Sequence, residues 1–367
     1  MPRQVLTDHE VPVVRLPGGT PRLAESLVRP TAPSSSDLSP DVHNDAPPTG
    51  TDLATEPPRI GPGAGSFRFV DGLSGERKPL TVWYYRPPRL PAAAPVVFVM
   101  HGVKRDADNY RDTWMAAAEL FGFLLLCPKF AKKDYPRSAY QLGNLADSAG
   151  RPLPQDEWTF NVIEHLFDFV KETTGNTSER YHIYGHSAGG QFVHRLALFM
   201  PEARYETAIT ANAGWYTMPT FAGSKFPYGL KGSASTPETL KKAFGRRLVI
   251  LLGERDTDAD DPHLRKSTAT SRQGANRFER GQAFHATARE EAESLGVTLH
   301  WRLDTVPGAA HLQQQMMPAA ARALFADDEH PRQEPASPAE TALSSTKALL
   351  RRALARLDPR NIGKTKR

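Results

Sequence analysis

The chain has 367 residues, is 39% hydrophobic and 24% charged, and carries a formal net charge of +5, the make-up of an ordinary globular protein with one large domain plus tails, or at most two domains. Much of that modest charge gathers between Lys347 and Arg367, which argues against a nucleic-acid binder while leaving the tail able to touch an acidic surface. The single cysteine, Cys127, rules out an internal disulfide framework, no stretch reaches the ~18 apolar residues of a membrane helix, and "MPRQVLTDHEVPVVRLPGG" has no apolar secretory core, so a soluble, cytoplasmic chain is expected.

Residues 1–65 are rich in Pro, Ser, Thr and Asp without a sustained apolar period. Such a segment cannot bury enough surface to offset its ordering entropy, and it reads as a disordered lead-in. "GPGAGS" at 61–66 superficially suggests a phosphate loop, but it lacks the Lys-Ser/Thr ending and follows no strand. A folded domain is expected over 66–328.

Within it, "SFRFV" and "PLTVWYYRP" read as strands flanking the turn "DGLSGERK". "PVVFVMHG" is a short apolar run ending in Gly, the mark of a strand buried on both faces. "NYRDTWMAAAELFG" is helical, "FLLLCP" a strand, and "DEWTFNVIEHLFDFVKETTG" a helix with an acidic start and a terminal Gly. "RYHIYG" is a strand, "GGQFVHRLALFMP" a helix stopped by Pro201, and "ETAITANAG" and "RRLVILLGERD" are strands. "FERGQAFHATAREEAESLG" is a helix, "VTLHWRLDTV" a strand and "MMPAAARALFA" the last helix of the domain. Alternation of this kind predicts an α/β protein with a mostly parallel sheet covered by helices. Residues 213–245 form a long insertion containing Trp215, Tyr216, Phe221, Phe226 and Tyr228. It serves either as a lid or binding wall, or as an aromatic-rich patch packed onto the body. Residues 329–367 are a linker and a basic amphipathic helix.

Gly185-His186-Ser187-Ala188-Gly189 stands between a predicted strand and a predicted helix. The Gly-x-Ser-x-Gly pattern in that setting is a nucleophile elbow, whose turn is so sharp that neighbours of the serine must lack bulk. A serine hydroxyl needs a positioned base, and in such elbows the chain order is Ser, acid, His. His311, in the Pro-Gly loop "VPGAAHLQQ" directly after a strand, is the imidazole placed to reach over the sheet edge. Asp256 follows the strand "LVILLG" and is the expected acid, with Asp258, Asp260 and Asp261 as close competitors. An EF-hand loop starting at Asp256 fails because positions 261 and 267 are Asp and Ser; no metal and no cofactor is expected. The oxyanion donors are expected to be the amides of Ala188 and, in the loop "HGVKRDADNY", Val103. His101, His186, Trp215 and Tyr216 are the candidate substrate-side residues.

Together "MHGVKRDADNY", "GHSAGG", "LLGERD" and "PGAAH" resemble the α/β-hydrolase superfamily over roughly residues 66–326. "ADNYRDTWMAAAELFGFLLLCPKF" and "GHSAGGQFVHRLALFMPE" are similar to its polyhydroxybutyrate depolymerase and feruloyl-esterase-like branch. The resemblance implies an α/β-hydrolase fold and ester hydrolysis through an acyl-enzyme on Ser187. Secreted members of that branch often carry a cysteine after the His-Gly pair where this chain has Val103, so a small or oligomeric ester is expected rather than a bulk polymer. The same machinery serves peptidases, amidases and acyltransferases, and a noncatalytic relative docking through its basic tail is the rival from another class.

Overall fold

The computed structural model describes residues 60–72 and 78–325. The lead-in before residue 60 and the linker and basic helix after 325 lie outside the described residues. β1 (Gly63–Val70) and β2 (Pro79–Arg86) form an antiparallel pair. Ile60 is buried, and "GAGS" is the first half of β1 rather than a loop.

The alternating region follows with β3 (Val96–Met100), α1 (Ala107–Phe121), β4 (Leu124–Lys129), the four-residue α2 (Arg137–Tyr140) and α3 (Asn161–Thr174). Next come β5 (Tyr181–His186), α4 (Ala188–Phe199), β6 (Tyr205–Ala211), α5 (Pro237–Phe244) and β7 (Leu248–Gly253). The short α6 (Thr268–Ser271), α7 (Arg277–Ser294), β8 (Trp301–Val306) and α8 (Gln313–Phe325) complete the series.

The strands make one eight-stranded sheet in the order β1-β2-β4-β3-β5-β6-β7-β8. Only β1–β2 and β2–β4 pair antiparallel; every pairing from β4 onward is parallel. Period-two alternation divides the core. Val97, Val99, Tyr184, Ile209, Val249 and Leu251 face α1 and α8, whereas Phe98, Met100, Ile183, Ala208, Ile250 and Leu252 face α3, α4, α5 and α7. Both faces being covered, β3, β5 and β7 are buried at every residue. Full burial of side chains this size stabilises by about 1.5–3 kcal/mol each, which is why so short a run as "VVFVM" makes a central strand.

The insertion packs onto this body. Trp215, Tyr216, Leu230, Leu240 and Phe244 are buried, and the Phe226 ring lies 5.8 Å from that of Phe199. α5 arises inside it, its cap formed by Thr236 Oγ1 accepting from the Thr239 amide, with Pro at the first helical position.

Candidate active site

Ser187 links β5 to α4 with φ 58° and ψ −111°, a left-handed backbone that a residue with a Cβ adopts only under strain. Its amide donates to the Ala211 carbonyl on β6 at 2.9 Å, and its own carbonyl accepts from Gln191 at 3.0 Å, so strand and helix grip it from both sides. The flanking glycines have a steric cause: a Cβ on Gly185 would strike the Gly189 carbonyl, and one on Gly189 would strike the Met100 carbonyl. The helix start is thereby pressed onto β5 and β3, lifting the serine side chain to a half-buried position at the C-terminal edge of the sheet.

His311 reaches the same point from the loop after β8. Its Nε2 lies 3.0 Å from Ser187 Oγ, and its Nδ1 2.7 Å from Asp256 Oδ2. A carboxylate only accepts, so Nδ1 carries the proton and Nε2 is free to accept from the serine hydroxyl. Asp256 follows β7 and is 3% exposed, whereas the imidazole is 25% exposed. Of the four acidic residues in this stretch, Asp256 is the one bonded to His311. Asp258 accepts from the Asp260 amide at 2.8 Å, Asp260 pairs with Lys266 at 3.0 Å, and Asp261 pairs with Arg277 at 2.8 Å. Buried Arg277 also reaches Asp256 Oδ1 at 3.3 Å, occupying the oxygen that His311 leaves over.

Two further ties hold the histidine loop. Asn212, just after β6 and also at positive φ (45°), accepts from the Gly253 amide at 2.8 Å and donates to the Ala310 carbonyl at 3.3 Å. The Arg255 amide donates to the Ala309 carbonyl at 2.8 Å. Neither Asn212 nor Arg277 belongs to a local motif, and sequence reasoning passed over both.

Val103 lies in the loop leaving β3. A Cβ on the preceding Gly102 would sit 3.9 Å from Cβ of Ser187, so this loop passes directly beside the hydroxyl. Its shape is fixed by a turn in which the Arg105 amide donates to the Gly102 carbonyl at 3.2 Å. The Arg105 guanidinium donates to the Phe130 and Tyr135 carbonyls at 2.6 and 3.2 Å. Ala188 opens α4, where the first amides of a helix lack intrahelical acceptors. Val103 and Leu312 are 43% and 52% exposed, and these two large apolar side chains stand next to Gly102 and His311 respectively.

The four candidate substrate-side residues sit deeper than their sequence positions suggested. His101 is fully buried; its Nε2 accepts from the Phe130 amide at 3.1 Å and its Nδ1 faces the Gly102 carbonyl at 3.0 Å. Burial pulls its pKa down to about 3, so the ring is neutral and holds the β3 loop through these bonds. His186 is 4% exposed, with Nδ1 3.2 Å from the Tyr110 hydroxyl and its ring 4.7 Å from that of His311. Burial, reinforced by His311 and Arg277, keeps it neutral. Tyr216 is fully buried and stacked on Phe284 at 4.5 Å. Trp215 is 2% exposed because arginines cover it: Arg195 lies 4.4 Å and Arg137 5.5 Å from its ring centroid. All four are buried.

No family model matches the chain, nor does any curated protein. Among solved structures, poly(aspartic acid) hydrolase-1 from Sphingomonas sp. KT-1 is 42% identical, with a TM-score of 0.69 covering 73% of this chain and 100% of that one. LpqC, a poly(3-hydroxybutyrate) depolymerase from Bordetella parapertussis, is 32% identical, with a TM-score of 0.69 covering 77% of this chain and 94% of that one.

Proposed function

Because the chain belongs to the α/β-hydrolase superfamily and is a serine hydrolase, we propose that it cleaves carboxylic esters, with Ser187 as its nucleophile, His311 as its general base and Asp256 as the carboxylate that orients His311. The observation that carries this reading is the unbroken relay from Ser187 Oγ to His311 Nε2 at 3.0 Å and from His311 Nδ1 to Asp256 Oδ2 at 2.7 Å.

Ser187 Oγ attacks the carbonyl carbon while His311 Nε2 takes its proton. The negative charge of Asp256, fixed in turn by Arg277, stabilises the imidazolium. The amides of Ala188 and Val103 hold the developing oxyanion, each donor worth about 3–4 kcal/mol in the transition state. The Ala188 amide also sits at the positive end of α4. His311 then passes its proton to the leaving oxygen. Water, activated by the same imidazole, cleaves the acyl-enzyme and restores the serine. Val103 and Leu312 give the acyl chain an apolar lip. The two similar proteins are named for polymers, one joined by amide bonds and the other by esters, which supports an oligomeric substrate over a minimal one, and the second of them an ester.

Labelling with a fluorophosphonate, together with hydrolysis of p-nitrophenyl butyrate, tests the assignment. Wild type should label stoichiometrically. Ser187→Ala should lose the label and about 10⁶-fold in kcat, the scale seen when such a serine is removed. A folded wild type that neither labels nor turns over would favour the noncatalytic binding module instead.

A further inference from the structure

Arg277 carries a charge into the interior behind Asp256. It opens α7, and its side chain is 2% exposed. The helix meets Asp256 twice: the Phe278 amide donates to the Asp256 carbonyl at 3.2 Å, and Arg277 Nη1 donates to Asp256 Oδ1 at 3.3 Å. The same Nη1 donates to Asp261 Oδ2 at 2.8 Å. This nitrogen carries two hydrogens, so it can tie two carboxylates together, and the tighter bond goes to the acid outside the relay. Asp261 is held from its other side as well, where Oδ1 accepts from the His263 amide at 2.7 Å. Its side chain is 18% exposed, against 2% for that of Asp256.

A buried carboxylate stays charged only when it is compensated, and a guanidinium stays charged throughout. Asp256 therefore has two positive partners, Arg277 at every pH and His311 whenever the ring is protonated. Arg277 acting alone on Asp256 would cancel much of the charge that stabilises the imidazolium. With Arg277 gone, the full charge of Asp256 would favour a proton on His311 and leave fewer rings free to act as a base. Asp261 lies where it can balance the two. Burial would raise its carboxyl, but hydrogen bonds from Arg277 and the His263 amide, with the charges of Arg277 and His311, hold it below the ordinary carboxylate range.

The other ionisable neighbours of His311 add no charge of their own at neutral pH. His186, at the end of β5, has its ring 4.7 Å from that of His311 and is kept neutral by burial, with His311 and Arg277 adding to the effect. Tyr110 of α1 stands behind it, with its hydroxyl 3.2 Å from His186 Nδ1, and burial pushes that hydroxyl far up. Glu254 and Arg255, at the start of the loop after β7, are exposed. The charge bearing on the imidazole is thus set by Asp256, Asp261 and Arg277.

We infer that Arg277 and Asp261 are a matched pair of positioning residues behind Asp256: Arg277 pins Asp256 and limits its pull on the His311 proton, Asp261 offsets Arg277, and together they set the pH at which His311 becomes free to act as a base. The inference takes its catalytic meaning from the relay proposed for Ser187. Opposite signs follow for the two members. Without Asp261, the charge of Arg277 bears undiluted on Asp256 and His311, the imidazolium is less favoured, and the acid limb of kcat/KM moves to lower pH. Without Arg277, two carboxylates face the ring, the imidazolium is more favoured, and the limb moves to higher pH.

Two measurements test the pair. The first is the pH profile of kcat/KM on p-nitrophenyl butyrate. Asp261→Asn, which keeps its shape and still accepts from Arg277, should move the acid limb down by about half a pH unit or more. Arg277→Gln should move it up by about one unit, and the double variant should lie between the two, near wild type. Asp258→Asn, which removes an exposed charge from the same loop, should leave the limb in place. The second follows the His311 ring of Ser187→Ala by NMR with carbon-13-labelled histidine, the signal being assigned by its loss in His311→Gln. Its titration midpoint should move in the same directions without any turnover. Turnover with limb and midpoint indifferent to both substitutions, or moved the same way by both, overturns the pair and leaves Ser187 in place. A wild type that turns over no ester, with midpoints displaced in opposite senses, overturns the role of Ser187 and keeps the pair. Should Arg277→Gln melt early, Asp261→Asn, at the more exposed end, carries both measurements by the sign of its shift.

Discussion

His311 can reach one carboxylate of the acidic run after β7, and the reason is where each acid points. Asp256 turns inward after Gly253, with its amide donating to the Gly253 carbonyl at 3.0 Å, while Asp258 and Asp260 stay at the surface with partners of their own. Asp256→Asn keeps the shape but lets the amide group donate, which favours the wrong imidazole tautomer. It should lower kcat about 10⁴-fold. Asp258→Asn and Asp260→Asn should remain near wild type in the same p-nitrophenyl butyrate assay. A large loss in either of those, with Asp256→Asn active, would reassign the acid. Residues of this kind were legible beforehand because chemistry ties them to strand ends: Ser187, Asp256 and His311 each follow an apolar run that reads as a strand. Arg277 was not, since α7 brings it to Asp256 from 21 residues away and no spacing in the chain marks it. His101, His186, Trp215 and Tyr216, which the sequence offers as substrate-side residues, are buried by their flanking strands and the insertion.

The elements carry the next constraint, and it is steric. α4 can start immediately after β5 only because the residues at the crossing have no side chains. In Gly189→Ala the new methyl would meet backbone at Met100, and a carbonyl of a central strand cannot move aside as a flexible side chain would. Overpacking of that severity costs about 3 kcal/mol. Gly189→Ala should therefore lower the urea midpoint and lose fluorophosphonate labelling together, whereas Ser187→Ala should lose labelling with its midpoint kept or raised, since it removes no packing. Unchanged stability in Gly189→Ala would mean that α4 is less tightly pressed to the sheet than its geometry indicates. The long elements were readable from their periods, strands of continuous apolar residues and helices with one apolar face. The short ones escaped. α2 and α6 have a single turn each and no period to read, while α5 lay hidden in an aromatic insertion despite the Thr236-Pro237 pair that announces its cap.

Across the whole molecule, the elbow is surrounded by imidazoles that the fold keeps uncharged. His101 buttresses the β3 loop and His186 lies inside the elbow. His194 bridges α4 to the insertion, with Nδ1 on the Gly190 carbonyl at 2.9 Å and Nε2 accepting from the Thr217 amide at 3.1 Å. Burial, the dominant cause in each, lowers the pKa of all three, that of His101 to about 3. In the unfolded chain the same groups titrate near 6.5. Above that value folded and unfolded states bind the same number of protons at these sites, and the stability they permit is fully present. As pH falls from 6.5 toward the folded value, the unfolded chain takes up protons that the folded one refuses. Each such group then drains about 1.4 kcal/mol per pH unit. The shifted carboxylates act in a lower window: Asp147, Glu202 and Asp261, held low by hydrogen bonds from Arg151, Lys242 and Arg277, titrate below the ordinary carboxylate range. Raised tyrosines such as Tyr216 act only in strong alkali. The interval from pH 6.5 to 4.5 is thus governed mainly by histidine, and urea midpoints should be flat from pH 8 to 7 and fall steeply across it. A midpoint that stays level or rises there would mean that at least one of these rings accepts a proton inside the fold, and His186, beside His311 with its Nε2 buried and unpartnered, would be the first to reconsider.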